Sequence, residues 1–292
     1  MKRMRCYILF TLLFSCACSS AQPIVVWNRL LAHPNPMVTE LLVKALQATA
    51  DEYGAFELIP SEAMEQGRAV KQMANHGDLQ IAVFAPDKER EESAIAVRIP
   101  VTGSLLSYRI CLINKGQQAR FRSVSSLESL LGAKIKIGTH QDWPDTKIMQ
   151  ANGLRLWKGN KYTLLFEQLA AGRFDCFSRG ANEVVQEHEL HLNKELEIEQ
   201  HLVIYYPLPF YYFVNKDNPE LAVRLSKGLS ILINNGEYEA MFKEKYAETL
   251  KILAIQDRVT IELTNPLLTA QTTAQMEKDR AYFQALIYRS SQ

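Results

Sequence analysis

Gly138, Thr139, His140 and Gln141 follow the apolar run Lys134 to Ile137 and precede a stretch with helical spacing near Asp145 to Asn152. A helix start leaves backbone N–H groups without intrahelical partners and carries the positive end of the helix dipole, so these four residues could hold a carboxylate or another anion. The alternative is capping, in which Thr139 or Asp142 satisfies its own turn. The segment lacks the glycine-rich, lysine-ending pattern of a nucleotide phosphate loop, so ATP binding has no support. Arg179 follows a second apolar run, Phe174 to Phe177, and precedes Gly180. A guanidinium at that strand end offers a planar fork to a carboxylate, against the alternative of an ion pair with Asp175 or Glu183. Arg90 lies in Asp87-Lys88-Glu89-Arg90-Glu91, where a solvated charge run is the base expectation, and it is the weaker candidate. Trp27, Trp143 and Tyr108 could wall a ligand or pack a core, and Trp27, at the end of the first strand, is the best placed of the three.

Catalysis finds little in the chain. His140 with Asp142 or Asp145 could be assembled into an acid–base pair, and Ser178 into a nucleophile. No G-x-S-x-G elbow, HExxH helix or carboxylate pair frames them. The histidines are scattered and make no metal set with the cysteines, so neither a metal nor a cofactor is expected.

The elements that must position these residues alternate. Ile24 to Trp27 reads as a strand, followed by the His33-Pro34-Asn35-Pro36 turn and a helix from Met37 to Ala50. Strands at Phe56 to Ile59 and Leu79 to Phe84 flank a helix at Glu65 to Asn75, giving a βαβαβ start. Ala94 to Ile99 and Tyr108 to Ile113 surround Pro100, Gly103 and Ser104, the expected passage to a second lobe. That lobe alternates strand and helix through Lys134 to Ile137, Tyr162 to Ala171 and Phe174 to Phe177. His201 to Val214, broken by Pro207 and Pro209, reads as the return crossing. Helices at Pro219 to Asn234 and Glu237 to Leu250 follow, and a tail of loop plus helix wraps the outside. The expected division is a leader over 1–21, a discontinuous first lobe over 22–103 and 207–292, and a second lobe over 104–206.

Lys2, Arg3 and Arg5, then the apolar run Cys6 to Phe14, then small residues to Ala21, form the three parts of a secretory leader. Cleavage after Ala21 is expected, with lipidation at Cys16 or Cys18 as the alternative. The run is too short to span a bilayer, which needs about 20 apolar residues. Without those 21 residues the chain keeps 271, and its formal charge falls from +1 to −2. No nucleic-acid surface is implied. The length suits two α/β lobes with separate cores. Cys111 and Cys176 both sit in apolar runs, which favours buried free thiols over a disulfide.

The ordered set of leader, strand with Trp27, Asp87 to Glu91 before the first crossing, Lys134-Ile135-Lys136-Ile137-Gly138-Thr139, Gly172-Arg173-Phe174-Asp175, Tyr205-Tyr206-Pro207 and Phe213-Val214-Asn215-Lys216 before Asn218-Pro219 resembles the periplasmic or extracellular solute-binding proteins of the type 2 class. In particular it resembles the family 3-like amino-acid-binding subunits of ABC transporters. The resemblance implies a periplasmic binding protein type II fold: α/β, with two Rossmann-like lobes of mixed, mostly parallel sheets joined by a two-strand hinge. It implies a monomeric periplasmic receptor that closes on a small polar or anionic solute and presents itself to a membrane permease or a sensor, without catalysis. Residue by residue, Arg90 resembles the arginine of a Thr-x-x-Arg-Glu pattern, with Asp87 in place of the threonine. Gly138, Thr139 and His140 match the anion-binding helix start. The family's acidic position falls at Gly180, beside Arg179, where there is no carboxylate. That departure points to a more anionic solute, a dicarboxylate or an acidic peptide fragment. Competing expectations are a dehydratase-like or lyase-like enzyme on the same fold, of the cyclohexadienyl dehydratase type, and a noncatalytic partner or sensor protein with a degenerate cleft.

Overall fold

The computed structural model describes residues 21–33 and 35–292. The expected leader, with Cys16 and Cys18, falls on residues 1–20 and lies outside them. Among the described residues no helix is long and apolar enough to cross a membrane. The strands, in chain order, are β1 Gln22–Val26, β2 Phe56–Pro60, β3 Ile81–Phe84, β4 Ala94–Val97, β5 Tyr108–Asn114, β6 Lys136–His140, β7 Arg155–Gly159, β8 Cys176–Gly180, β9 Leu196–Ile198, β10 Leu202–Tyr205, β11 Tyr211–Asn215 and β12 Val259–Glu262.

They build two sheets. The first has the order β2-β1-β3-β11-β4, and the second β12-β10-β5-β8-β6-β7 with β9 on β5. β1, β2 and β3 are parallel, joined by helices, while β11 returns antiparallel between β3 and β4. β3 and β11 are buried at every position, as strands covered on both faces must be, and they read as apolar runs up to the closing Asn215 of β11. Over the first sheet the helix Pro36–Gln47 starts with Asn35 accepting from the Met37 N–H at 3.1 Å and with proline at its first position. It crosses the helix Pro219–Asn234 at Gly228. A Cβ there would stand 1.9 Å from the Ala45 carbonyl oxygen, so only glycine permits this approach.

This is the two-lobed α/β fold expected from the sequence, with three corrections. Cys111 and Cys176 form a disulfide, their Cα atoms 5.1 Å apart on the adjacent antiparallel strands β5 and β8. The apolar setting that favoured free thiols reports burial, and burial does not exclude bonding; the strand pairing that brings the two together is non-local. Closing the 65-residue loop between them removes chain entropy from the unfolded state, a stabilisation of about 4 kcal/mol on the loop-entropy account. Second, β6 runs on to His140, and the next helix starts only at Pro144. Third, the tail does more than wrap the first lobe. β12 pairs in parallel with β10 at the edge of the second sheet. The helix Ala270–Ser290 then returns to pack on the first-lobe helix Glu237–Leu253, where the Tyr238 and Phe283 rings meet at 6.2 Å. The chain therefore passes between the sheets twice more than a two-strand hinge requires.

Candidate functional site

A cavity of about 640 Å³ lies between the lobes, within the range usual for small-molecule sites. The first lobe contributes Trp27, Arg29, His33, Gln66 and Phe210, and the second contributes Arg109, Trp143, Asp145, Tyr162, Arg179 and Glu183.

The chemistry of the second-lobe wall follows from strand geometry. Arg109 near the start of β5 and Arg179 near the end of β8 are offset by one in register, with Arg109 opposite Gly180 and Ile110 opposite Arg179. Alternation along a strand then sends the two guanidiniums to opposite faces of one sheet. On one face, Arg109 Nη2 pairs with Asp145 Oδ1 at 2.6 Å, in the first turn of the helix Pro144–Ala151. The Tyr206 hydroxyl donates to the same oxygen at 2.6 Å. A Cβ at Gly180 would stand 3.3 Å from Arg109 Nη1 and 2.5 Å from Asn182 Oδ1, so the glycine leaves room for both side chains.

On the other face, Arg179 donates from Nε to Glu187 Oε2 at 2.6 Å, and from Nη2 to Glu187 Oε1 and Glu183 Oε2, both at 2.7 Å. The Tyr162 hydroxyl donates to Glu187 Oε1 at 2.5 Å. The guanidinium carbon lies 4.6 Å from the Trp143 ring, 5.1 Å from Phe177 and 5.4 Å from Tyr162, an aromatic box around a cation.

Burial works against the charge on Arg179, but Glu187 and Glu183 outweigh it and its pKa is raised. Burial likewise opposes Arg109 and is outweighed by Asp145. The two glutamates diverge. Burial would raise Glu187, but the paired bonds from Arg179 hold it below the ordinary carboxylate value. For Glu183 burial prevails over the pull of Arg179, and its pKa is raised. Three carboxylates thus face two guanidiniums. On the first lobe, Arg29 is ion-paired with Glu65 at the surface, and burial lowers the pKa of His33, which keeps it neutral.

Of the residues expected from sequence to meet a ligand, Trp27, Trp143 and Arg179 line the cavity. Trp27 does so with its indole N–H held by the Met64 carbonyl at 3.1 Å. The charge of Arg179 is already met by two carboxylates, on Nε and Nη2, while its Nη1 makes no hydrogen bond among the described residues. The ion pair with Glu183 weighed as its alternative is present, and Glu187 is the stronger partner. The four residues 138–141 are not among the lining residues. Gly138 and Thr139 lie inside β6, and a Cβ at Gly138 would meet the Phe174 ring at 2.3 Å, so that glycine serves packing. Thr139 Oγ1 accepts from Thr146 Oγ1 at 3.1 Å, His140 Nε2 lies 3.0 Å from the Asn160 carbonyl, and the Gln141 N–H donates to the Gly159 carbonyl at 2.8 Å. The helix start that faces the cavity is Trp143, Pro144 and Asp145, a few residues later. Arg90 pairs with Asp87 at 3.2 Å and donates to the Ala85 carbonyl at 2.7 Å, backing a cavity-lining residue without lining the cavity itself. Tyr108 lies at the hinge, 5.0 Å from the Tyr205 ring, in a crevice closed by Arg280 and Gln284 of the last helix. Burial there pushes its hydroxyl up to about 12.

Sequence reasoning passed over Arg109, Glu187 and Tyr162. The available signal was Arg109 itself, a charge inside the apolar strand Tyr108-Arg109-Ile110-Cys111-Leu112, which on burial demands a partner. Among the described residues no group of three or more His, Cys, Asp or Glu is placed to hold a metal.

No family model and no curated protein matches the sequence. Solved structures do match. An ancestral arginine-binding protein bound to arginine is 16% identical, with a TM-score of 0.54 over 77% of this chain and 98% of that one. A Salmonella typhimurium periplasmic binding protein of high arginine specificity is 13% identical, with a TM-score of 0.55 over 77% of this chain and 99% of that one. A Silicibacter pomeroyi periplasmic protein of the His/Glu/Gln/Arg/opine-binding family, in complex with lysine, is 10% identical, with a TM-score of 0.56 over 77% of this chain and 97% of that one. These proteins are spanned almost whole, while about a quarter of this chain lies outside the match. At such identities the likeness is one of fold: the chain has the two-lobed architecture of the type II periplasmic binding proteins.

Proposed function

We propose that this protein is an exported receptor that holds a small polar solute in the cavity between its lobes, with no covalent step, and hands it to a membrane permease or reports it to a sensor. The observation that carries this reading is the interlobe cavity of about 640 Å³, walled from both lobes by aromatic side chains with charged groups at its base. The fold shared with arginine-binding and lysine-bound proteins supports it, as does a disulfide, which persists in oxidising compartments outside the cytosol. The mutual pairing of Arg109 with Asp145 and of Arg179 with Glu187 favours a second reading, a noncatalytic partner protein whose cleft satisfies itself.

Native mass spectrometry of protein purified from its producing cells without denaturation separates the two. A receptor retains a stoichiometric solute that is lost on unfolding. Resupply of that solute at about a hundred times its Kd raises Tm by roughly 5 °C or more. A bare mass, together with no Tm shift across a panel of amino acids, amines and carboxylates, would exclude the receptor and leave the partner protein.

A further inference from the structure

We infer that the cavity takes an organic cation without a carboxylate, a protonated amine or guanidine on a small apolar body, anchored at Glu183. This rests on the reading of the cavity as a solute site. A carboxylate-bearing solute is best held by a guanidinium whose charge is not already met, and the second-lobe wall has none to give. Arg179 spends Nε and Nη2 on Glu187 and Glu183, so two carboxylates answer its one charge even though Nη1 makes no hydrogen bond among the described residues. Arg109 spends Nη2 on Asp145 and Nη1 on the Leu106 carbonyl at 3.2 Å, and its Nε is buried without a partner.

Acceptors, in contrast, are in surplus. Glu183 uses only Oε2, toward Arg179; its Oε1 has no hydrogen-bond partner among the described residues, and the side chain is 28% exposed at the cavity. Asn182, the preceding cavity residue, has its Oδ1 unpartnered. Three carboxylates against two guanidiniums leave one negative charge at the base of a partly desolvated pocket, which a cation neutralises and an anion aggravates. The raised pKa of Glu183, caused by burial, reports the same unmet demand. Trp27 and Phe210 from the first lobe, with Trp143 and Tyr162 from the second, line the cavity with aromatic surface suited to the apolar body of such a cation.

The test is titration calorimetry of the full chain, wild type, Glu183→Gln and Glu183→Asp, with agmatine and 1,4-diaminobutane as cationic probes and L-arginine, L-glutamate and succinate as carboxylate-bearing ones. Agmatine and L-arginine share a guanidinium and differ in the carboxylate, so this pair isolates the claim. The expected result is at least about tenfold tighter binding of agmatine than of L-arginine, a loss of about tenfold or more in Glu183→Gln, and partial recovery in Glu183→Asp. Urea midpoints of both variants confirm that they fold. L-arginine or succinate binding as tightly as agmatine, or affinity unchanged in Glu183→Gln, would overturn the cation assignment while leaving the receptor intact. Should none of the probes bind, the solute retained in native mass spectrometry decides: an amine or guanidine without a carboxylate sustains the assignment, an acid or zwitterion removes it, and no retained solute removes the receptor reading as well.

Discussion

Glu183 and Glu187 sit four residues apart on one guanidinium, and their protonation pulls stability in opposite directions. The folded-state pKa of Glu187 is lowered by Arg179, so its stabilisation is present above the unfolded carboxylate pKa and lost as pH falls through the folded value. The folded-state pKa of Glu183 is raised by burial, so its contribution is present below the unfolded pKa and lost as pH rises through the folded one. Replacing each by glutamine therefore gives opposite signs at neutral pH. Glu187→Gln removes the paired partner of a buried cation and costs about 3 kcal/mol, the lower end for a broken buried pair because Glu183 stays in place. Glu183→Gln relieves a surplus buried charge and raises the urea midpoint of the solute-free protein. The same shift from both variants, or a fall in both, would show that the two carboxylates share one role. A site that destabilises its own empty form in this way trades stability for binding.

At the scale of elements, the alternation of strand and helix could be read from the sequence, because buried parallel strands are short apolar runs and their helices carry a three-to-four spacing. β3, β8 and the helix Pro219–Asn234 fall within a few residues of where periodicity puts them. Residues 138–141 do not form the turn before a helix that was expected there, for a local reason. β6 holds its ladder to β7 as far as His140 paired with Gly159, so Gly138 and Thr139 are strand residues and not a loop before a helix. Gly138→Ala tests this. Its Cβ would collide with Phe174, with an expected cost of about 1–3 kcal/mol from overpacking and no change in solute affinity. Weakened binding with an unchanged unfolding midpoint would return the turn to the site. The partners of Arg109 are beyond local reasoning, since Asp145 and Tyr206 reach it only through sheet pairing and helix placement. The same holds for the disulfide and for β12, four residues too few to carry a period.

Over the whole molecule, the returning tail ties the lobes together. Leu263 N–H donates to the Tyr205 carbonyl at 2.8 Å, Asn265 Nδ2 to the Pro207 carbonyl at 2.7 Å on the crossing, and Thr264 bonds Asn152 of the second lobe. A few residues on, Thr269 and Thr272 bond Glu91 of the first lobe at 3.0 and 2.7 Å. A strap bonded on both sides of a hinge restricts the rotation by which two-lobed proteins close. The radius of gyration from small-angle scattering should then change less on adding saturating solute in the wild type than in an Asn265→Ala, Glu91→Ala double variant. An equal change in both proteins would show that the strap rides passively. The same tail has a consequence for how the protein is made. The first lobe lacks its covering helix, and the second lacks an edge strand, until residues 259–290 exist. As the chain emerges from amino to carboxyl end, no earlier stretch holds all the parts of either lobe. Neither lobe can therefore be completed before residues 259–290 have been made.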